Sequence, residues 1–165
     1  MASPITVESS RAIPVGLQQA FEGTLPLPLT TIFSRRFALL PPIKEVRDQH
    51  GAWGQSGQSR MIITSDGGTM RELLTDVQPP RSFSYRLTDI TGPLRPLVQS
   101  IDGRWEFAPK GTGTEITWRW TLHPRHAGAV ILPLITMMWR GYARQALELL
   151  SEQLLARAFS EQTQD

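Results

Sequence analysis

At 165 residues, with 40% hydrophobic and 19% charged side chains, the chain is too apolar for a disordered tail and fits a single domain. It has no cysteine, which excludes disulfide frameworks, thiolate zinc sites, iron–sulfur clusters and cysteine nucleophiles. Seventeen cations against 15 anions leave a net charge of only +2; the cations are mostly arginine and scattered, with Arg35-Arg36 the tightest cluster, so no nucleic-acid partner is expected.

The most apolar stretch runs from Ala127 to Trp139, well short of the roughly 20 residues a membrane-spanning helix needs. The opening residues lack a basic region followed by an apolar one, so they do not read as a secretion signal. The expectation is a cytoplasmic protein with one domain over residues 3–158 and a polar tail over 159–165.

Ile5 to Ser10 alternates with β-branched residues and reads as a strand. Leu17, Ala20 and Phe21 form a short helical face that Gly23 ends, and a second short helix is expected from Leu29 to Leu39, stopped by Pro41-Pro42. Strands are then expected at 43–49, 57–64, 69–77, 82–89, 98–108 and 114–122. The breaks between them are turn-forming, among them Asp66-Gly67-Gly68, Pro79-Pro80 and Gly111-Thr112-Gly113. Short connections between successive strands require antiparallel pairing.

Two strands alternate cleanly. Ile116, Trp118, Trp120 and Leu122 oppose Thr117, Arg119 and Thr121, and Phe83, Tyr85 and Leu87 oppose Ser84, Arg86 and Thr88. One sheet face is therefore buried and aromatic, the other wet. From about 128 to 157 an apolar stripe recurs at helix period: Ile135, Trp139, Tyr142, Ala146, Leu149, Leu150 and Leu154. Arg144 and Glu148 on the polar side are spaced to pair, and Pro133 predicts a kink or a late start. Packing the stripe on the aromatic face completes a core and leaves room for an apolar pocket between bulky rings.

Several segments carry a family resemblance: Trp53, Gly57 and Arg60; Asp66-Gly67-Gly68 and Glu72; Asp76 to Pro80 leading to Tyr85; Gly103-Arg104-Trp105-Glu106-Phe107; and Gly113 to Trp118 before the long helix. The chain resembles the helix-grip superfamily: START lipid-transfer domains, the pollen-allergen fold and bacterial polyketide cyclase/dehydrase-like proteins (the SRPBCC group). The resemblance implies an α+β fold. A curved seven-stranded antiparallel sheet would follow, with two short helices after strand 1 and a long C-terminal helix on the concave face. The superfamily hosts carriers, sensors and enzymes, so the resemblance says more about fold than function.

The candidate ligand-binding residues are Arg60, Glu72, Tyr85, Trp105, Phe107, Trp118, Trp120, Met138 and Tyr142. The aromatic rings and Met138 offer apolar faces for a flat or greasy molecule, and each is equally at home in an ordinary core. Arg60 and Glu72 flank the Asp66–Gly68 turn at nearly opposite positions, which permits a cross-strand ion pair. Alternation leaves its face open, because Met61 and Ile63 compete with Ile62 for the interior.

His50, His123 and His126 read as solvated loop residues, not as metal ligands, and no metal or other cofactor is implied. There is no Gly-x-Ser-x-Gly elbow and no phosphate loop. Leu25, Leu27 and Leu29 are candidates for an entrance lid. Ala129 to Leu134 is a candidate for a lid, a transient membrane-surface contact or a homodimer contact.

The leading expectation is a carrier or sensor of a hydrophobic small molecule or lipid. The alternatives are a polyketide aromatase/cyclase-like enzyme and an interaction or toxin-type regulatory module that uses no ligand.

Overall fold

β1 (Ile5–Ile13) and β2 (Ile43–Arg47) follow one another in the chain yet lie at opposite edges of one sheet. The computed structural model describes residues 3–164. β3 (Ser59–Thr64), β4 (Thr69–Gln78), β5 (Ser82–Thr88), β6 (Val98–Lys110) and β7 (Gly113–Pro124) complete the sheet, in the order β1-β7-β6-β5-β4-β3-β2. Every neighbouring pair is antiparallel. The chain crosses between the edges through α1 (Leu17–Thr24) and α2 (Leu29–Ile32).

The sheet is curved, and α3 (Leu132–Gln162) packs over its concave side against β1, α1 and α2. This is the α+β helix-grip fold. The concave face carries Met70, Glu72 and Leu74 on β4, Phe83, Tyr85 and Leu87 on β5, Trp105 and Phe107 on β6, and Ile116, Trp118 and Leu122 on β7. α3 meets them with Ile135, Trp139, Tyr142, Ala146, Leu150 and Leu154. Each fully buried Leu, Ile or Phe contributes about 1.5–3 kcal/mol, so this seam carries most of the fold's stabilisation.

Local differences from the sequence reading have physical causes. The second helix ends at Ile32, not Leu39, because the apolar residues that follow are needed in different places. Phe33 turns in onto Trp118 and Tyr142, and Phe37 lies on the bare backbone of Gly141, where a Cβ would come within 2.1 Å of the ring. A continuous helix could not deliver both. The expected strand at 43–49 stops at Arg47, where Asp48 takes a φ of 59° and turns the chain away.

Pro133 acts through a late start: it sits in the first turn of α3, where its missing N–H is harmless. At the other end the helix continues to Gln162, through residues read as a polar tail. The four-residue ion pair that forms on this helix is Arg157–Glu161, in place of Arg144–Glu148. Leu149 of the expected stripe is only half-buried, and Leu147 takes a fully buried place in the seam.

Candidate functional site

Between the sheet and α3 lies a cavity of about 330 Å³, at the lower end of the range for small-molecule sites. Its walls are overwhelmingly apolar. Trp105, Trp118 and Trp120 form the floor, Phe33, Met138 and Tyr142 the helical side, and Ile62, Met70 and Leu87 the far sheet. Trp105 and Trp118 stack with centroids 5.3 Å apart, and Trp118 meets Trp139 of α3 at 4.8 Å, so the floor is a continuous aromatic layer tied to the helix.

The polar exceptions are few. Strand alternation puts Arg60, Ile62 and Thr64 on the concave side of β3, and the register pairs Arg60 with Glu72. This settles the face left open by the sequence: Arg60 and Glu72 are inside, each 5% exposed, with Arg60 Nε donating to Glu72 Oε1 at 2.5 Å. Arg60 also donates to Gln49 Oε1 at 3.1 Å and holds its guanidinium 3.8 Å over the Trp53 ring. Burial pushes the Glu72 carboxyl above its ordinary range, and the charge and hydrogen bond of Arg60 pull back against that rise.

Tyr85 is fixed differently. The indole N–H of Trp118 donates to its hydroxyl oxygen at 2.8 Å, and that of Trp120 at 2.9 Å. Both bonds use the oxygen as acceptor, and its own proton meets no acceptor among the described residues. The hydroxyl therefore stands in the cavity wall as an unspent donor. Burial, chiefly, and then the nearby charge of Glu72 raise its pKa, so it stays protonated at neutral pH. Tyr142 also lines the cavity, but its proton is committed to the Pro41 carbonyl at 3.0 Å.

Tyr85→Phe strands two indole N–H groups at once. It is expected to lower stability by about 2 kcal/mol or more, read from a denaturant midpoint at unchanged slope.

A family model described as "Polyketide cyclase / dehydrase and lipid transport" matches residues 4–154. The chain belongs to this family. No curated protein matches the sequence. Among solved structures, norcoclaurine synthase from Thalictrum flavum, in complex with dopamine and hydroxybenzaldehyde, is similar at a TM-score of 0.70 and 13% identity, covering 94% of this chain and 88% of that one. TTHA0849 from Thermus thermophilus aligns at 0.66 and 15% identity, over 93% of this chain and 99% of that one. Ara h 8.0201 aligns at 0.64 and 12% identity, over 93% and 99%. These likenesses show the fold; with the family match over residues 4–154, the chain falls in the START-like, SRPBCC superfamily.

Eight of the nine residues singled out from the sequence line the cavity of this cyclase/dehydrase-family chain. Phe107 does not. It lies two residues beyond Trp105 on the same face of β6, under α1, where it packs edge-on against Phe21 at 5.4 Å. Leu25, Leu27 and Leu29 also reach the cavity, and Leu29 opens α2. The Ala129–Leu134 segment splits: Leu132 is fully buried, while Ile131 and Leu134 line the cavity and remain exposed at its edge.

Sequence reading missed Trp53, Phe33, Ile62, Met70, Leu94 and Leu97 as cavity residues. Trp53 left one usable signal. A large ring isolated in a polar loop needs something to cover, and here it covers Arg60. Leu94 and Leu97 left none, because loop leucines carry no periodicity.

His123 is corrected from loop to strand: it lies in β7, half-exposed, with Nε2 2.7 Å from Asp102 Oδ2. Arg86 also donates to Asp102, at 2.8 Å. Partial burial raises the Asp102 pKa, but the hydrogen bonds and charges of Arg86 and His123 outweigh it and hold the carboxyl below its ordinary value. No cluster of three His, Asp or Glu suited to a metal ion occurs among the described residues. No helix there is long and apolar enough to cross a membrane.

Proposed function

We propose that this protein binds an apolar or amphipathic small molecule carrying one hydrogen-bonding oxygen, and acts as its carrier or sensor. The observation that supports this most directly is the unspent Tyr85 proton. A buried hydroxyl, aimed by two indole donors and left without an acceptor, suits a carbonyl, hydroxyl or carboxylate oxygen on a ligand. The guanidinium of Arg60 adds a second polar group in the same wall, and the tryptophan floor supplies apolar contact. The positions of Arg60, Glu72, Tyr85, Trp105, Trp118, Trp120, Met138 and Tyr142 support a ligand-contacting role for each.

Native mass spectrometry of the protein as purified, followed by solvent extraction, tests the reading. The expected result is a stoichiometric apolar adduct. If the protein arrives empty, anilinonaphthalene sulfonate is expected to bind and quench the cavity tryptophans. An empty protein that also fails to bind the dye would overturn the reading in favour of an interaction module without a ligand.

A second reading has its own support. Glu72, with its raised pKa, and the Tyr85 donor face one mainly apolar cavity, as a general acid/base pair for carbonyl condensation or dehydration would require. A cyclisation assay on a polyketone separates the two readings. An enzyme would lose turnover in Glu72→Gln and Tyr85→Phe, whereas a carrier has no turnover to lose.

A further inference from the structure

The exposed apolar side chains are not spread over the surface. Of eight large ones among the described residues, five belong to the segments around the cavity opening: Leu39, Val130, Ile131, Leu134 and Met137. Val130 is 88% exposed, Leu39 71% and Met137 66%. Leu39, Ile131 and Leu134 are both exposed and cavity-lining, which places them at the rim. Leu134 and Met137, three residues apart on α3, point to the same side. Pro93 and Leu94 of the β5–β6 loop continue the rim opposite.

The charge pattern of the same segments is one-sided. Residues 28–42, 91–99 and 123–147 contain Arg35, Arg36, Arg95, Arg125, Arg140 and Arg144, and no aspartate or glutamate. All six arginines are exposed, and none is in an ion pair among the described residues. The exposed acid that lines the cavity, Asp66, is turned inward on the Thr64 hydroxyl and the Gly68 amide.

An apolar rim whose flanking segments carry cations and no acids disfavours self-association. A two-fold dimer through this face would bring the arginines against their own copies. It fits a surface that offers hydrocarbon beneath a layer of negative charge.

We propose that the rim of Leu39, Ile131, Leu134 and Met137, with the arginines of its flanking segments, docks on an anionic lipid bilayer and opens the cavity toward it. The inference rests on the cavity being a site for an apolar ligand, because the docking surface surrounds its opening. It makes that ligand one which partitions into membranes, reached from the bilayer and not only from water.

The test is co-sedimentation of the full chain with vesicles of phosphatidylcholine alone, and with phosphatidylglycerol added at about one part in four to give a negative surface. Binding to the mixed vesicles is expected to exceed binding to the neutral ones by about tenfold, and to fall steeply as salt is raised. Val130→Glu/Met137→Glu and, separately, Arg35→Glu/Arg140→Glu are each expected to lower mixed-vesicle binding by about tenfold or more. Dye binding in solution is expected to stay unchanged in both variants, since none of the four residues lines the cavity.

Wild-type protein that ignores both vesicles, or variants that bind as well as wild type, would overturn the docking surface while leaving the cavity reading intact. A concentration-dependent dimer abolished by Met137→Glu would also overturn it and assign the face to a second copy. Loss of dye binding in the wild type would instead strike at the cavity itself.

Discussion

Glu72→Ala is expected to lower the melting temperature by about 6–20 °C. Removing one partner of a buried ion pair costs about 3–5 kcal/mol, and each kcal/mol moves the midpoint of a chain this size by roughly 2–4 °C. The loss falls hard on this side because Arg60 cannot give up its charge. With Glu72 gone, the guanidinium keeps the Trp53 ring and the Gln49 amide oxygen, neither of which is an anion.

Arg60→Ala is different, because a stranded Glu72 can take up a proton. Its folded pKa then lies far above the unfolded value near 4.3, a shift documented for buried carboxyls. The sign follows. Stability is retained below the unfolded pKa and lost as pH rises toward the folded one. Between pH 5 and pH 7 the Arg60→Ala variant should therefore lose about 2–3 kcal/mol, a steeper fall than in wild type, where the Arg60 charge and hydrogen bond hold back the rise, while Glu72→Ala shows no such slope from this site. Parallel denaturant titrations at the two pH values read this directly, and a flat difference for Arg60→Ala would show that Glu72 is not held in a low-dielectric wall.

The double variant Arg60→Met/Glu72→Leu separates stability from recognition. Replacing a whole buried pair with apolar side chains is often neutral or stabilising by about 1–4 kcal/mol. It is expected to fold at least as well as wild type and to lose selectivity for oxygen-bearing ligands over plain hydrocarbons. Retained selectivity would make the pair a packing feature.

The pair also shows how far the sequence could be read. Its existence follows from counting outward from Asp66-Gly67-Gly68, because a two-stranded antiparallel turn fixes cross-strand partners. Its face does not follow, because Met61, Ile62 and Ile63 are all apolar and the period-two signal on β3 is lost. β5 and β7 posed no such problem: Phe83, Tyr85 and Leu87, and Ile116, Trp118 and Trp120, alternate with polar residues, and all six turn to the concave side. Phe107 obeyed the same alternation and still missed the cavity. Alternation assigns a side chain to a face, whereas the cavity ends where α1 covers that face, and this is a long-range fact. The loop between Phe33 and Leu40 was hidden for a similar reason. Its apolar residues mimic a helical stripe, but Phe33 serves Trp118 and Tyr142 while Phe37 serves Gly141.

Gly103→Ala is the other substitution with a large expected effect, and its sign is diagnostic. A glycine inside a strand with ordinary backbone angles is usually improved by alanine, by about 0.4–1 kcal/mol. Gly103 has no positive φ, so its backbone does not require glycine. The space above it does. Gly103 faces Tyr85 in the β5–β6 register, and a Cβ there would lie 2.0 Å from Tyr85 Cζ. The ring lies flat on the bare strand, and this lets its hydroxyl reach both indoles of β7.

An alanine methyl must lift that ring into the cavity. Both tryptophan N–H bonds then break and part of the ligand space fills. Overpacking costs about 1–3 kcal/mol, and orphaning the buried Trp118 N–H about 1–3 more. Gly103→Ala is therefore expected to destabilise by about 2–6 kcal/mol, and to weaken dye binding by about tenfold or more as the displaced ring takes up the cavity.

In a Tyr85→Ala background the ring is absent, and the same substitution should become neutral or mildly stabilising. That reversal is a coupling between the two positions that a general strand effect cannot produce. A Gly103→Ala cost that persists unchanged without the tyrosine would mean that something other than Tyr85 occupies the space above the glycine, and the donor geometry proposed for the site would lose its foundation.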